Sequence, residues 1–487
     1  MQNPTSIRYS QFIQEVIQYR TSDVLIGLAQ IDQKFNEGRI EQGRDFSITP
    51  WGIALIARES ILHGDDSKVA AVLQEVDIRR LHQILDNTYD GPQVNPGLTD
   101  SASGILFRIG FEQFQFQESE FEELARSVVI FRDVLESMSD SKISLPEVES
   151  LFGMPIEEAV SAAIALYCIL QGTKGLWSDS YLDEPELQIL FNHVDKDSVR
   201  SLRNHLTANC STLKLDHGDV ASRFPVPEHL NRYGYNPLAK HPLVELADGR
   251  IVAPQPRLIL WRMSLTSLSY LGSEKIRDFM SHLGGVIETY VGRLLHLTEG
   301  AQICGSIPWG SNSNDGESTD WFYILPNCVV LVEVKSARVS VSVRAGSPTL
   351  VEDLKVPMDR ARKQLNSTYQ RLLESHPSLD FIPRNRPVIG LIVTAGSIRT
   401  INGREISNQL EPCDFPVLTV SLRELEYATP RPSKDIGGAL VKIAFDAELK
   451  TWALSTSLGK FVEYADNEIL DRASSRLSIL SFQEDEL

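Results

Sequence analysis

The stretch Asp320-Trp321-Phe322-Tyr323-Ile324-Leu325-Pro326-Asn327-Cys328-Val329-Val330-Leu331-Val332-Glu333-Val334-Lys335 decides how this chain folds. Cys328 to Val332 is an unbroken apolar run, the pattern of a strand covered on both faces. It closes on Glu333-Val334-Lys335. Side chains alternate along a strand, so Glu333 and Lys335 share one face and Val334 turns to the other. Asp320 opens the preceding strand, and the chain reverses at Pro326-Asn327. Pro326 cannot take a positive φ, which disfavours the tight two-residue hairpin turns. A symmetric four-residue loop pairs Leu325 with Cys328 and therefore Asp320 with Glu333. A bulged odd loop shifts that register by one. In the symmetric register two carboxylates face each other with Cβ atoms roughly 5 Å apart. Removed from water, such a pair calls for a cation between its members.

Around this hairpin the pattern predicts a helix over 273–297, strands over 301–308, 320–325 and 328–335, and a helix over 350–374 with a break or kink near Pro357. Two more strands follow, over 387–394 and 416–421, and then helical segments. Two further polar residues fall on the helices of this block. Glu288 lies on the helix before the first strand, where it can add a carboxylate. Gln364 lies on the helix after the third, within reach of the lysine, a water or a phosphate.

The first half of the chain reads as nearly all helix. Apolar residues recur at helical spacing over 7–19, 69–85, 120–138 and 156–170. Residues 86–104, rich in Asn, Asp, Gly, Pro and Ser, form the clearest linker. The aromatic run Phe107, Phe111, Phe114, Phe116 and Phe121 reads as core packing. A hairpin is expected where 241–246 and 251–255 flank Ala247-Asp248-Gly249-Arg250. The expected architecture is thus α+β and multidomain. A helical region spans 1–225, with a subdomain split near 86–104, and a hairpin connector spans 226–272. A mixed sheet flanked by helices spans 273–425, and a helical extension spans 426–487.

Composition narrows the function. The 487 residues are 42% hydrophobic and 23% charged, an ordinary globular balance. The longest mostly apolar stretch, 159–170, is too short for a membrane span, and the first residues lack the pattern of a signal peptide. Five scattered cysteines without zinc-ligand spacing fit buried thiols in a reducing cytoplasm. The net charge of −18 argues against a surface coated for nucleic acid. Residues 333–404 run the other way, with 12 Lys plus Arg against 6 Asp plus Glu. Arg338, Arg344, Arg360, Arg362 and Lys363 are the candidates there for gripping a phosphate backbone. Trp309 and Trp321 flank the candidate site in sequence, and alternation turns Trp321 away from Asp320, into the core. No Walker loop, Gly-x-Ser-x-Gly elbow, His-Glu-x-x-His or dinucleotide fingerprint occurs.

An acidic-x-Lys triplet alone carries no weight, since Asp66-Ser67-Lys68, Asp140-Ser141-Lys142, Asp353-Leu354-Lys355 and Glu448-Leu449-Lys450 also occur. Only Glu333-Val334-Lys335 ends an apolar strand preceded by an Asp-headed one. The ordered set Glu288, Asp320, Glu333-x-Lys335 and Gln364 resembles the PD-(D/E)XK nuclease superfamily, whose members are restriction-endonuclease-like. The resemblance covers about residues 273–425, with Thr319 standing where many members have Pro. It implies an αβββαβ core and Mg2+ dependence, with Mn2+ able to substitute. It further implies cleavage of nucleic acid, DNA above all, with Asp320, Glu333 and Glu288 toward the metal and Lys335 and Gln364 toward the reaction. A bacterial phage-defence role, a homodimer or larger complex, and a protein partner on the helical half follow by analogy. The competing expectation is a non-catalytic, nuclease-like scaffold.

Overall fold

The change from helical to alternating pattern near residue 301 is where the chain builds its larger sheet. The computed structural model describes residues 7–38, 48–67, 71–88, 110, 120–139, 141–226, 228–309, 317–336, 350–398 and 401–480. Nine strands occur among them: β1 (Leu176–Trp177), β2 (Thr207–Asn209), β3 (Leu243–Glu245), β4 (Ile251–Val252), β5 (Gln302–Gly305), β6 (Trp321–Ile324), β7 (Val329–Lys335), β8 (Val388–Thr394) and β9 (Val417–Ser421). They form a four-stranded sheet, β1-β4-β3-β2, and a five-stranded sheet, β5-β6-β7-β8-β9.

In the larger sheet β5, β6 and β7 are antiparallel neighbours, and β7, β8 and β9 run parallel. Parallel pairing needs a crossover, and the Leu350–Leu373 helix supplies the one from β7 to β8. The expected order of helix, three strands, helix and two strands is the order found. Each face of the sheet has its own cover. Tyr323, Val330, Val332 and Val334 pack with the Phe279–Leu295 helix. Phe322, Ile324, Val329 and Leu331 pack with Leu354, Met358, Ala361 and Leu365 of the crossover helix. Burial on both faces is why β7 reads as a continuous apolar run rather than an alternating one.

Several expectations need correction. The predicted 273–297 helix is two helices, Leu265–Lys275 and Phe279–Leu295, because Asp278 takes a positive φ of 53° at the junction. Of the break or kink expected near Pro357 the break is absent, since one helix runs through it. The 120–138 helix passes through a π-helical turn at Val129–Val134. The Asp248-Gly249 turn forms, with Gly249 at a φ of 84° that suits a residue without Cβ. Its strands are more than a connector, however. β3 pairs with β2 and β4 pairs with β1, both from the supposedly all-helical half. One buried cluster draws residues from Leu124 to Ile479 into a shared core. The reason is visible in the Ile156–Gly172 helix, which is buried on nearly every side and needs neighbours all round.

Phe121 is 46% exposed and so is not core, while Phe107, Phe111, Phe114 and Phe116 lie outside the described residues. Most of the 86–104 linker does as well. Of the five thiols, all free, only Cys328 is buried and Cys168 is exposed. No helix among the described residues is long and apolar enough to cross a membrane.

Candidate active site

The β6–β7 hairpin takes the symmetric register. Trp321 faces Val332 and Ile324 faces Val329, and the Leu325 amide closes the loop on the Cys328 carbonyl at 2.9 Å. One step beyond the last pair, Asp320 stands opposite Glu333. Its Oδ2 accepts the Val334 amide at 2.6 Å, which fixes the carboxylate at the end of β7. By alternation Asp320, Glu333 and Lys335 all lie on the face covered by the 350–373 helix.

Glu333 is fully buried. Its Oε1 accepts a hydrogen bond from Lys335 Nζ, and its buried Oε2 has no hydrogen-bond partner among the described residues. A half-satisfied buried carboxylate is costly. Burial and the neighbouring Asp320 push its carboxyl up to about 8, against the pull of Lys335. Asp320 is also raised, first by burial, and is relieved by the Val334 amide and Lys335.

Glu288 comes from the other side of the sheet. The 279–295 helix lies close because its small residues meet the sheet edge. An added Cβ at Gly284 would sit 3.5 Å from Ser336 Oγ, and one at Gly292 would strike the Trp321 ring at 2.3 Å. Glu288 lies between them at four-residue steps, on the same helix face. The Trp321 indole packs over Gly292 and donates to the Glu288 carbonyl at 3.1 Å. Trp321 therefore turns away from Asp320 as expected, although it is only half-buried. Burial, then Asp320 and Glu317, raise the Glu288 carboxyl to about 7.

Gln364 has no hydrogen bond with Lys335 among the described contacts. Its Nε2 donates to the Ser318 carbonyl at 2.9 Å, a positioning contact on the segment that leads into Asp320. That segment is pinned further by residues the sequence reading passed over. The Thr319 amide donates to Thr368 Oγ1 at 2.9 Å, and its hydroxyl donates to the Val332 carbonyl at 2.5 Å. Ser318 Oγ accepts the Ile307 amide at 2.8 Å. Thr319 and Thr368 are fully buried, so the place where Pro was looked for holds a side chain that ties β6 to β7. Glu317 was also missed, and only its place beside Ser318-Thr319-Asp320 could have flagged it.

The basic candidates separate. Arg360 is exposed and sits four residues before Gln364, on the same helix face. Arg362 is turned away, donating to the Glu411 carbonyl at 2.9 Å, and Lys363 lies 3.9 Å from the Glu411 carboxylate. The 409–414 segment occupies that flank, where it also takes Lys355, Asp359 and Asn366. Trp309 carries Arg371 over its ring at 4.5 Å. Arg338, Arg344 and most of the 310–318 loop lie outside the described residues.

Among the described residues no three His, Cys, Asp or Glu side chains are grouped closely enough to hold a metal ion. The set present is two facing carboxylates with one orphaned oxygen, Glu288 and Glu317 within electrostatic range, and one lysine. The unpaired Glu333 Oε2 and the raised carboxyls are what a divalent cation would relieve, so the donor chemistry fits Mg2+ or Mn2+. Compared with protein-family models, curated proteins and solved structures, the chain matches none.

Proposed function

We propose that the chain is a Mg2+-dependent nuclease, a phosphodiester hydrolase acting on DNA. The observation that carries this reading is Glu333: fully buried, one oxygen unpartnered, facing Asp320, with Lys335 on the same face. Perturbed, half-satisfied buried groups are enriched at functional sites. The αβββαβ order of elements supports the reading, as does the resemblance carried by Asp320 and Glu333-x-Lys335.

Asp320 and Glu333 would hold the cation, with Glu288 adding a carboxylate from the 279–295 helix. When bound, a divalent cation neutralises phosphate charge and acidifies water. The remaining work falls to the chain's own groups. Lys335 Nζ, now paired with Glu333, becomes free to orient the attacking water or to meet negative charge on the phosphate. Thr319, Thr368 and Gln364 hold the Ser318–Asp320 segment against β7 and the crossover helix. Arg360 is placed to contact a backbone phosphate. Cutting both strands of a duplex usually takes two such sites, which a homodimer or larger complex would supply. Bacterial, cytoplasmic defence and a protein partner on the helical half rest on the resemblance alone.

A non-catalytic scaffold is the second reading. The observation in its favour is that the Lys335–Glu333 ion pair closes the site and that no three-carboxylate group is preformed among the described residues. The test is cleavage of plasmid, linear and single-stranded DNA and RNA with Mg2+ or Mn2+. The nuclease reading expects cleavage by the natural chain and none by a folded Lys335→Ala variant. Cleavage that survives in Lys335→Ala, or no cleavage of any substrate, sinks it.

A further inference from the structure

Positive charge gathers where the parallel strands β2 and β3 of the smaller sheet begin. Thr207 pairs with Leu243, so His205 and His241 hold matching positions, each two residues ahead of its strand. Arg262, the last residue of the Arg257–Arg262 helix, reaches the same place, where its Nε donates to the Lys240 carbonyl at 3.2 Å. Its guanidinium lies 5.6 Å from the centre of the Phe152 ring, and His205 hydrogen-bonds the backbone of neighbouring Leu151. Lys275 completes the group from the end of the Leu265–Lys275 helix, within charge range of Arg262 and Lys240.

Two nitrogens of this group are left over. Arg262 is 1% exposed, yet its Nη1 has no hydrogen-bond partner among the described residues, and neither has the buried Nδ1 of His241. The nearby acids are engaged elsewhere. Asp216 accepts from the Tyr235 hydroxyl at 2.7 Å and from Lys240 Nζ at 2.9 Å. Glu274 accepts from Lys240 at 3.0 Å and from Arg223 at 3.2 Å. All four groups are pulled toward losing positive charge. Burial takes the Arg262 guanidinium down to about 9, with Tyr235 and Glu274 opposing it through charge alone. Burial and then Lys240 take the His241 imidazole down to about 4, with Arg262 and His205 adding to the fall and Asp216 resisting it. His205 is lowered by burial, Arg262 and Lys275, and Lys275 by burial, Arg262 and Lys240. A buried guanidinium with an idle N–H is costly, and an anion placed against it removes that cost.

We propose that Arg262, His241, His205 and Lys275 bind the phosphate group of a small molecule. Burial grades inward along the group: Lys275 is exposed, the two imidazoles are half-buried, and Arg262 forms the floor. A floor this deep suits a free ion or a terminal phosphate and excludes the continuous backbone of a nucleic-acid strand. Arg262 Nη1 and a protonated His241 Nδ1 donate to phosphate oxygens, and Lys275 meets the remaining charge from the rim. Two fixed positive charges, with two imidazoles that gain protons beside an anion, match a dianion rather than a lone carboxylate. The half-buried imidazoles are the groups that turn aside to admit it. The site shares no residue with the nuclease reading and stands apart from it.

The test is isothermal titration of the full chain with inorganic phosphate and with AMP, against acetate at matched ionic strength. Binding of phosphate or AMP, and not of acetate, is expected. Inorganic phosphate alone assigns the free ion, and tighter binding of AMP assigns a phosphate monoester. Sulfate, a dianion throughout, should bind more tightly at pH 6 than at pH 8, because the imidazoles take up protons when the site fills. Lys275→Ala, at an exposed position, lowers phosphate affinity about tenfold and leaves thermal melting as in the natural chain. Arg262→Lys removes Nη1 and abolishes binding. Should that buried variant fail to fold, Lys275→Ala and the pH dependence of sulfate decide. Lys335→Ala binds normally, which separates this outcome from failure of the nuclease reading. Binding of neither phosphate nor AMP, equal binding of acetate, or unchanged affinity in Lys275→Ala overturns the proposal.

Discussion

Two buried glutamates of this molecule sit in opposite situations. Glu426 is 4% exposed and fully served: Arg126 donates to both of its oxygens at 2.6 and 2.5 Å, and the Tyr290 hydroxyl adds a bond of 2.7 Å. Glu333 is more deeply buried, yet it has one lysine on one oxygen, and its Oε2 has no hydrogen-bond partner among the described residues. Glu426 joins elements 300 residues apart and its geometry is complete. Glu333 faces a second carboxylate and is left short of positive charge. A complete network specifies a fold, whereas the incomplete one at the end of β7 is where the proposed cation would sit.

The comparison breaks most visibly if the two are cut. Arg126→Ala leaves Glu426 buried and uncompensated, and should cost about 3–5 kcal/mol in urea unfolding. Glu333→Gln has the opposite sign. The Glu333 carboxyl is raised from an ordinary 4.5 to about 8. The stability it contributes is present in full below its unfolded value and is lost as pH rises through its folded one. The natural chain, free of divalent ions, should therefore lose roughly 2–4 kcal/mol between pH 5 and pH 9 that Glu333→Gln retains. Added Mg2+ or Mn2+ should restore the natural chain's melting temperature at high pH and do nothing for the variant. If Glu333→Gln destabilises as Arg126→Ala does, Glu333 belongs with Glu426 as a structural residue.

Smaller effects sharpen the picture. Gln364→Ala removes one hydrogen bond to Ser318, worth about 1 kcal/mol, and should slow cleavage several-fold by loosening the approach to Asp320. A loss as complete as that of Lys335→Ala would instead make Gln364 a direct participant. Arg360→Ala should weaken DNA binding uniformly across sequences and lower the salt slope by about one. Arg362→Ala should leave binding unchanged and act on stability through the 409–414 segment.

What the sequence reveals divides along the same line as local and distant causes. The β6–β7 register is legible because Pro326-Asn327 constrains the turn and a one-residue slip would invert every apolar side chain of β7. The order of elements is legible from the switch in hydrophobic period. The break at Asp278 is not, since no glycine or proline announces it. β1 and β2 are two and three residues long and exist only because β3 and β4 come back to pair with them. In the site, Asp320, Glu333 and Lys335 follow from one hairpin. Gln364 is placed correctly on its helix, but its partner, the Ser318 carbonyl, comes from a different element. Arg362 looks like a surface charge until the 409–414 segment covers it. Thr319 reads as a departure from a motif and proves to be a tie between two strands.

The central claim is that Asp320 and Glu333 share a divalent cation. The most direct measurement is a crystal structure of the full chain soaked in Mn2+, with anomalous data. The account predicts a peak bonded to both carboxylates, at the metal–oxygen distances of an octahedral site, with Lys335 released from Glu333. A site empty of Mn2+, with the Lys335–Glu333 pair intact at saturating concentration, would contradict it.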